Sequence, residues 1–455
     1  MRYIKNVVSL GAPLLAGLIA EFFMYLSDSA MVGRLGTEHL AAMGIAVMVA
    51  EILWVIVWPF APATQTIASQ RYGRAVELKK KGGNDYENKI LATGDVFNNS
   101  LFFAIGAGVI AILLAQLHQP FLFMVLDDPS LIPLIDSYVS IVRWAMPVAG
   151  VFYALYGFLA AIQRTIPIMI ATIGWNVLNI GFNYILIFGK FGCPALGIEG
   201  AAIGTVLSQI IAVIYLVLYV LMSKDVRPFK CFRFKGFDPK VLKSLSSAGT
   251  PIAGQLVIVF GIYLYYETLI ANIGTVYLAA THIVFTVFLL KRTIVGAFAE
   301  GGSILVGNNI GRKNVNAAVK YALTAEGIGI VIGFFLFMLI LVFPEKIVSV
   351  FNNEMQTIAV STDALRFFAI FMLIDVIGYP FEVIFTHNGW GKFVFYAGAG
   401  TQLVFHLGLT LILVNVFDMG IYGAWSAFAI QIVLYMVLLT IGFFSKKWLY
   451  VEVPA

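Results

Sequence analysis

Charge is what this 455-residue chain has least of: Asp, Glu, Lys and Arg together make up 12% of it, about half the share usual in a soluble domain. That shortage excludes a fold whose whole surface faces water. Cysteine is scarcer still. Cys193 and Cys231 fall in different loops, which excludes a disulfide scaffold and offers no metal-ligand spacing. No Walker loop, HExxH helix or GxSxG turn with a partnered histidine is present, so no enzyme chemistry is expected. The five histidines (His39, His118, His282, His387 and His406) lie mostly near the ends of apolar runs, share no spacing, and read as packing or interfacial residues. A cleaved signal peptide is not expected either. The apolar run from Val7 is too long, and no small-residue cleavage site follows it.

What the chain does have is apolar length. It is 60% hydrophobic, with a mean hydropathy of +0.92, and its bulk is expected in a bilayer. Twelve runs are long enough to span: 7–32, 40–70, 96–117, 136–162, 166–189, 198–223, 246–273, 277–309, 320–343, 361–388, 393–415 and 421–444. Several exceed the roughly 20 residues a span needs, which predicts tilt or kinks. Pro59, Pro62, Pro147 and Pro380 lie inside spans, where a proline bends a helix rather than ending it.

The net charge of +5 reflects where the basic residues lie, and no nucleic-acid partner is expected from it. Arg71, Arg74, Lys79, Lys80, Lys81 and Lys89 follow span 2, and Lys224, Arg227, Lys230, Arg233, Lys235, Lys240 and Lys243 follow span 6. Loops on the alternate side carry mainly Arg34, Lys190 and Lys346, with the acids Asp127, Asp128, Glu345, Glu354 and Asp418. By the positive-inside rule both termini are cytoplasmic.

The sequence also repeats. A shift of 238 lays spans 1 and 2 on spans 7 and 8 without a gap: Pro13 meets Pro251, Tyr25 meets Tyr263, Gly36 meets Gly274, and Gly73 with Arg74 meets Gly311 with Arg312. Later, GIEGAA (197–202) is similar to GIYGAW (420–425). Two halves in the same orientation imply a pseudo-two-fold axis along the membrane normal. The expected organisation is an all-α polytopic protein with an N-lobe at 1–223, a cytoplasmic linker at 224–245 and a C-lobe at 246–455. Two lobes of this kind suit an alternating-access transporter better than a channel or sensor. With no nucleotide site, an ion gradient would have to supply the energy.

Ionisable groups inside spans cost about 2.5–3.5 kcal/mol at a helix centre and mark sites. The first half offers Glu21, Asp28 and Glu51, with no embedded cation expected opposite them. Glu21 and Asp28 are seven apart, two turns along one helix face. The second half offers Glu267, Lys291, Arg292, Asp375 and Glu382. Lys291 and Arg292 stand roughly 14 residues from the outer end of span 8, about 20 Å along a helix, and are expected to pair with acids of spans 7 and 10. These side chains read either as substrate contacts, as a second ion network, or as a structural one. In span 5, Asn176, Asn179 and Asn183 form one stripe at i, i+3 and i+7. Its carboxamides could coordinate Na⁺, hydrogen-bond a carboxyl, or join helices.

The stretch SDSAMVGRLGTEHLAA (27–42) resembles the D-x-x-x-V-G-R-L-G-x-x-x-L-A-A signature of the multidrug and toxic compound extrusion (MATE) transporters. AAIQRTIPIMI, NIGFNYILIFG and GAAIGTVLSQ follow in the family's order and spacing. The resemblance covers essentially the whole chain. It implies an inner-membrane, multi-pass monomer that exports amphiphilic, often cationic small molecules in exchange for H⁺ or Na⁺, with no other cofactor. It further implies that Asp28 is the N-lobe cation site, a Na⁺ ligand where Na⁺ is the coupling ion. Asn179 and Thr205 match the asparagine and threonine that complete this site in archaeal members. Asn183 stands where those members carry an acid, which removes one negative charge. In the second half, Glu267 and Asp375 are out of register with the ion-binding acids of NorM-type members. The alternative within the superfamily is a lipid-linked precursor or polysaccharide flippase, whose cavity is typically more cationic.

The topology is testable with a cysteine placed at Lys80 in a chain lacking Cys193 and Cys231. An impermeant thiol reagent should leave it unmodified in intact cells and label it after lysis; labelling from outside would reverse the orientation.

Overall fold

The structure, a computed structural model, describes residues 1–125, 129–233 and 236–451. Asp127, Asp128 and Lys235 lie outside the described residues. Among those described, eleven helices are long and apolar enough to cross a membrane, and twelve when the pair Pro129–Val142 and Ala145–Ala161, bent by 47°, is one span. The chain divides into two compact units: Pro13–Gly249, and Thr250 onward together with Met1–Ala12.

The first unit is built on α1 (Arg2–Gly33), α2 (Thr37–Val57), α3 (Phe60–Lys80), α4 (Tyr86–Leu114), α5 (His118–Val125), α6 (Ile132–Val142), α7 (Ala145–Ala161), α8 (Thr165–Phe188) and α9 (Ile198–Met222). Span 40–70 is therefore two helices. The ladder is interrupted at Trp58 and Pro59, since the proline brings no N–H to it. Span 136–162 bends at Arg143 and Trp144, just ahead of Pro147. Arg143 corrects the expectation of a first half without an embedded cation, because it lies inside that span. Its guanidinium sits 5.8 Å from the Trp144 ring centroid, and among the described residues it forms no ion pair. Alanines and β-branched residues fill the core between α1, α2, α6 and α9 (Val32, Ala42, Ala46, Val139, Ala201 and Ala202). Without a hydrophobic drive between helices in lipid, such small side chains let backbones approach and gain van der Waals contact.

After α9 the basic stretch is strapped to the N-terminal half of α4. Asn98 accepts from the Phe232 N–H at 2.7 Å and donates to the Arg233 carbonyl at 3.1 Å, while Asn99 accepts from the Asp238 N–H at 2.9 Å. Phe229 packs edge-on against Phe158, at 5.5 Å between centroids. Its carbonyl comes so near α4 that a Cβ on Gly94 would lie 1.8 Å from it.

The second unit holds α10 (Pro239–Ile273), which begins in the first unit, then α11 (Thr275–Gly311), α12 (Val315–Val342), α13 (Pro344–Val348) and α14 (Met355–Asp375). It continues with α15 (Tyr379–Thr386), α16 (Gly391–Thr401), α17 (Leu409–Asn415) and α18 (Gly420–Ser445). A π-helical turn over Gln402–Gly408 joins α16 to α17. Span 361–388 breaks between α14 and α15, where Pro380 enters the first turn of α15. Both helices that change units do so beside a proline, Pro13 in α1 and Pro251 in α10. These are the pair that the 238-residue shift superimposes.

Replacing Gly94 by alanine should force the linker off α4 and cost about 1–3 kcal/mol of stability, on the scale of other overpacking changes, read as a lower unfolding midpoint. Gly106→Ala on the same helix, where a Cβ meets nothing within 4 Å, is the matched control and should leave the midpoint in place.

Candidate functional site

Asp28 sits in the last two turns of α1 and is 7% exposed. The stripe expected on span 5 is real: Asn176, Asn179 and Asn183 are all buried on one face of α8. Asn183 donates its amide to Asp28 Oδ1 at 2.7 Å and to Asn179 Oδ1 at 3.0 Å. Asn179 then donates to Thr205 Oγ1 at 3.0 Å, and Thr205 donates to the Ala201 carbonyl at 3.0 Å. Four residues from three helices thus form one relay that begins at a carboxylate and ends in a backbone carbonyl. Every link is neutral except Asp28. Gly204 makes room for it, since a Cβ there would stand 2.0 Å from Asn183 Oδ1.

The relay suits a small cation. Asn183 Oδ1 is buried and receives no hydrogen bond among the described residues, an acceptor oxygen beside a carboxylate. Its amide can also serve either protonation state, donating to the carboxylate or, turned over, accepting from the acid.

Glu21 and Glu51 lie elsewhere in the same unit. They are close enough for their charges to repel, and Tyr153 stands beside both. The Tyr25 hydroxyl donates to Glu51 Oε1 at 3.1 Å. This is a second acidic patch, flanked by phenol rings.

The embedded charges of the second unit gather mainly on one side chain. Asp375, wholly buried, accepts from Lys291, and Arg292 grips both its oxygens, Nη2 to Oδ1 at 2.6 Å and Nε to Oδ2 at 3.1 Å. Arg292 also reaches Glu382 Oε2 at 3.8 Å and lies over the Tyr379 ring at 4.5 Å. The expectation that these cations pair with acids of spans 7 and 10 holds only for span 10. Glu267 pairs with His282 instead, at 3.2 Å. Only Gly274 separates α10 from α11, so Glu267 and His282, near that junction, lie within reach of each other.

Besides Arg143 and Tyr153, other side chains were not anticipated. Tyr138, on α6, stands against Thr205 and near Asp28; only the fold brings it there. Gln209 is fully buried four residues after Thr205, and the spacing of Thr205, Ser208 and Gln209 could have revealed a polar stripe on span 6. Glu326, 6% exposed on α12, has no hydrogen-bond partner for either carboxylate oxygen among the described residues. Its signal was a lone acid inside 320–343.

With this geometry in place, the chain can be set beside known proteins. The MatE family profile matches residues 13–185 and 251–412. A probable multidrug resistance protein NorM of Neisseria meningitidis serogroup A is 24% identical over 433 residues, covering 94% of this chain and 91% of that one. Its namesake in Agrobacterium fabrum is 26% identical over 453 residues, covering 97% and 93%. Among solved structures, the outward-facing conformation of a multidrug resistance MATE family transporter of the MOP superfamily matches with a TM-score of 0.87. It is 18% identical and covers 99% of this chain and 97% of its own. A MOP superfamily transporter from Pyrococcus furiosus matches with a TM-score of 0.88 at 18% identity, covering 98% and 96%.

A double-mutant cycle tests the relay. Gly204→Ala should push Asn183 off Asp28 and cost about 1.5–3 kcal/mol, the range for a hydrogen bond to a charged group. Asn183→Ala should cost a similar amount alone and little more when added to Gly204→Ala. Fully additive losses would mean that the two residues act separately.

Proposed function

The chain belongs to the MatE family, and from that premise we propose that it is a secondary active multidrug exporter. It moves amphiphilic, often cationic, compounds out across the plasma (inner) membrane in exchange for H⁺ or Na⁺, by alternating access. In this reading the protein works as a monomer with both termini in the cytoplasm. Its N-lobe is 1–223, its linker 224–245 and its C-lobe 246–455.

The observation that carries the reading is Asp28: a buried carboxylate held by an amide, with no ion pair among the described residues. A bare carboxylate is costly at this depth, so the group favours a bound proton or cation. Loading it changes the charge of a buried relay. A ligand shifts a conformational balance only by its different affinity for the two states. Asp28 supplies that difference for the coupling ion, with Asn179, Asn183 and Thr205 as its neutral oxygens and donors and Tyr138 beside them. Glu21 and Glu51, with Tyr25 and Tyr153, are the groups suited to attract a substrate's cationic nitrogen, through charge and ring faces. Those acids also favour drug export over the flippase alternative. An anionic lipid-linked precursor would be repelled there.

Asp28→Asn keeps the shape of the side chain and removes its charge. It should insert and purify normally, and efflux from liposomes driven by an imposed pH or Na⁺ gradient should fall to background. Wild-type rate and ion dependence in this variant would remove Asp28 from the coupling.

A further inference from the structure

We infer that Lys291 is a tethered cation: its ammonium fills, in the second unit, a seat that a monovalent metal ion would otherwise take, and removing it opens a Na⁺ site made by Asp375 and the Met372 carbonyl. The break in span 10 builds the seat. α14 ends at Asp375, and the next N–H, that of Val376, bonds the Ile374 oxygen. The Met372 carbonyl, which a continuing helix would give to Val376, instead accepts from Lys291 Nζ at 3.2 Å. The ammonium therefore lies between a carboxylate and a carbonyl freed by a helix break, with the Phe288 ring centroid 3.9 Å away. Hard oxygens at the C-terminal end of a broken helix are the surroundings in which membrane transporters hold small cations. A lysine is the side chain that imitates such an ion, being a compact point charge where arginine is a planar fork.

The charge balance points the same way. Lys291 and Arg292 face Asp375 and Glu382, two charges of each sign. Arg292 already spans both acids and stays charged. Taking away Lys291 leaves one uncompensated negative charge among groups of which Asp375 is 0% and Lys291 3% exposed. A buried charge in that state must gain a counter-ion or a proton. The vacated volume lies directly on Asp375 and Met372. In the intact protein the seat is filled by a group that cannot leave, so the second unit offers no exchangeable ion there. The consequence for coupling, that exchange falls to the first unit, rests on the role given to Asp28; the binding claim does not.

The test uses full-length protein in detergent with Asp28→Asn, which silences the first-unit carboxylate, compared with Asp28→Asn/Lys291→Met. Unfolding midpoints are measured at alkaline pH in NaCl and in N-methylglucamine chloride at equal ionic strength. The single variant should show no Na⁺-specific shift. The double variant should be less stable in N-methylglucamine and recover saturably with Na⁺. Equal midpoints of the double variant in the two salts, or recovery by acid alone, would overturn the inference. Should the double variant fail to purify, unmutated protein decides the matter by amine acetylation read by mass spectrometry. Lys291 should stay unmodified at every NaCl concentration and with substrate present. Labelling that rises as NaCl is raised would show an ammonium that Na⁺ displaces, and a tethered seat would be ruled out.

Discussion

The cost of an ionised side chain in a bilayer governs the interior of this protein. A charge at a helix centre is worth several kcal/mol against insertion, and the two units meet that cost in opposite ways. In the first, Asp28 has an amide, not a cation, as its hydrogen-bond partner. In the second, Asp375 is gripped by two cations at once. A carboxylate with a neutral partner can take up and release an ion. One that is fully paired has no such freedom, and it organises the helices around it.

Helix breaks set up both arrangements. The bend at Arg143 and Trp144 lies between α6, which carries Tyr138 against the relay, and α7, which carries Tyr153 beside Glu21 and Glu51. The break after Asp375 frees the Met372 carbonyl and starts α15, which brings Tyr379 and Glu382 to Arg292. Prolines sit at or just after these breaks, and neighbouring groups satisfy what the helix gives up.

Much of this was legible in the sequence because the bilayer imposes simple rules. Apolar length gave the spans, and the motif around Asp28 with the asparagine period gave the relay, including Asn183 in place of an acid. The helices outrun the expected spans at their polar ends, as α11 does on both sides of 277–309, since hydropathy marks the lipid-buried part and not the helix. Pairing was harder to read. Which acids take Lys291 and Arg292 depends on how helices pack, and the sequence spacing did not separate Glu267, which pairs elsewhere, from Asp375 and Glu382. Arg143 and Glu326 stand in the sequence as charges inside apolar runs, at 136–162 and 320–343. Tyr138 could not be found by any spacing, because the contact joins separate helices.

The central claim is that ion exchange at one carboxylate drives export. It is tested most directly with purified wild-type protein in liposomes, following a fluorescent cationic amphiphile while a pH or a Na⁺ gradient is imposed in either direction. The account predicts that substrate moves uphill against one of these ion gradients, and that reversing the gradient reverses the flux. Substrate movement that is indifferent to both gradients would contradict it.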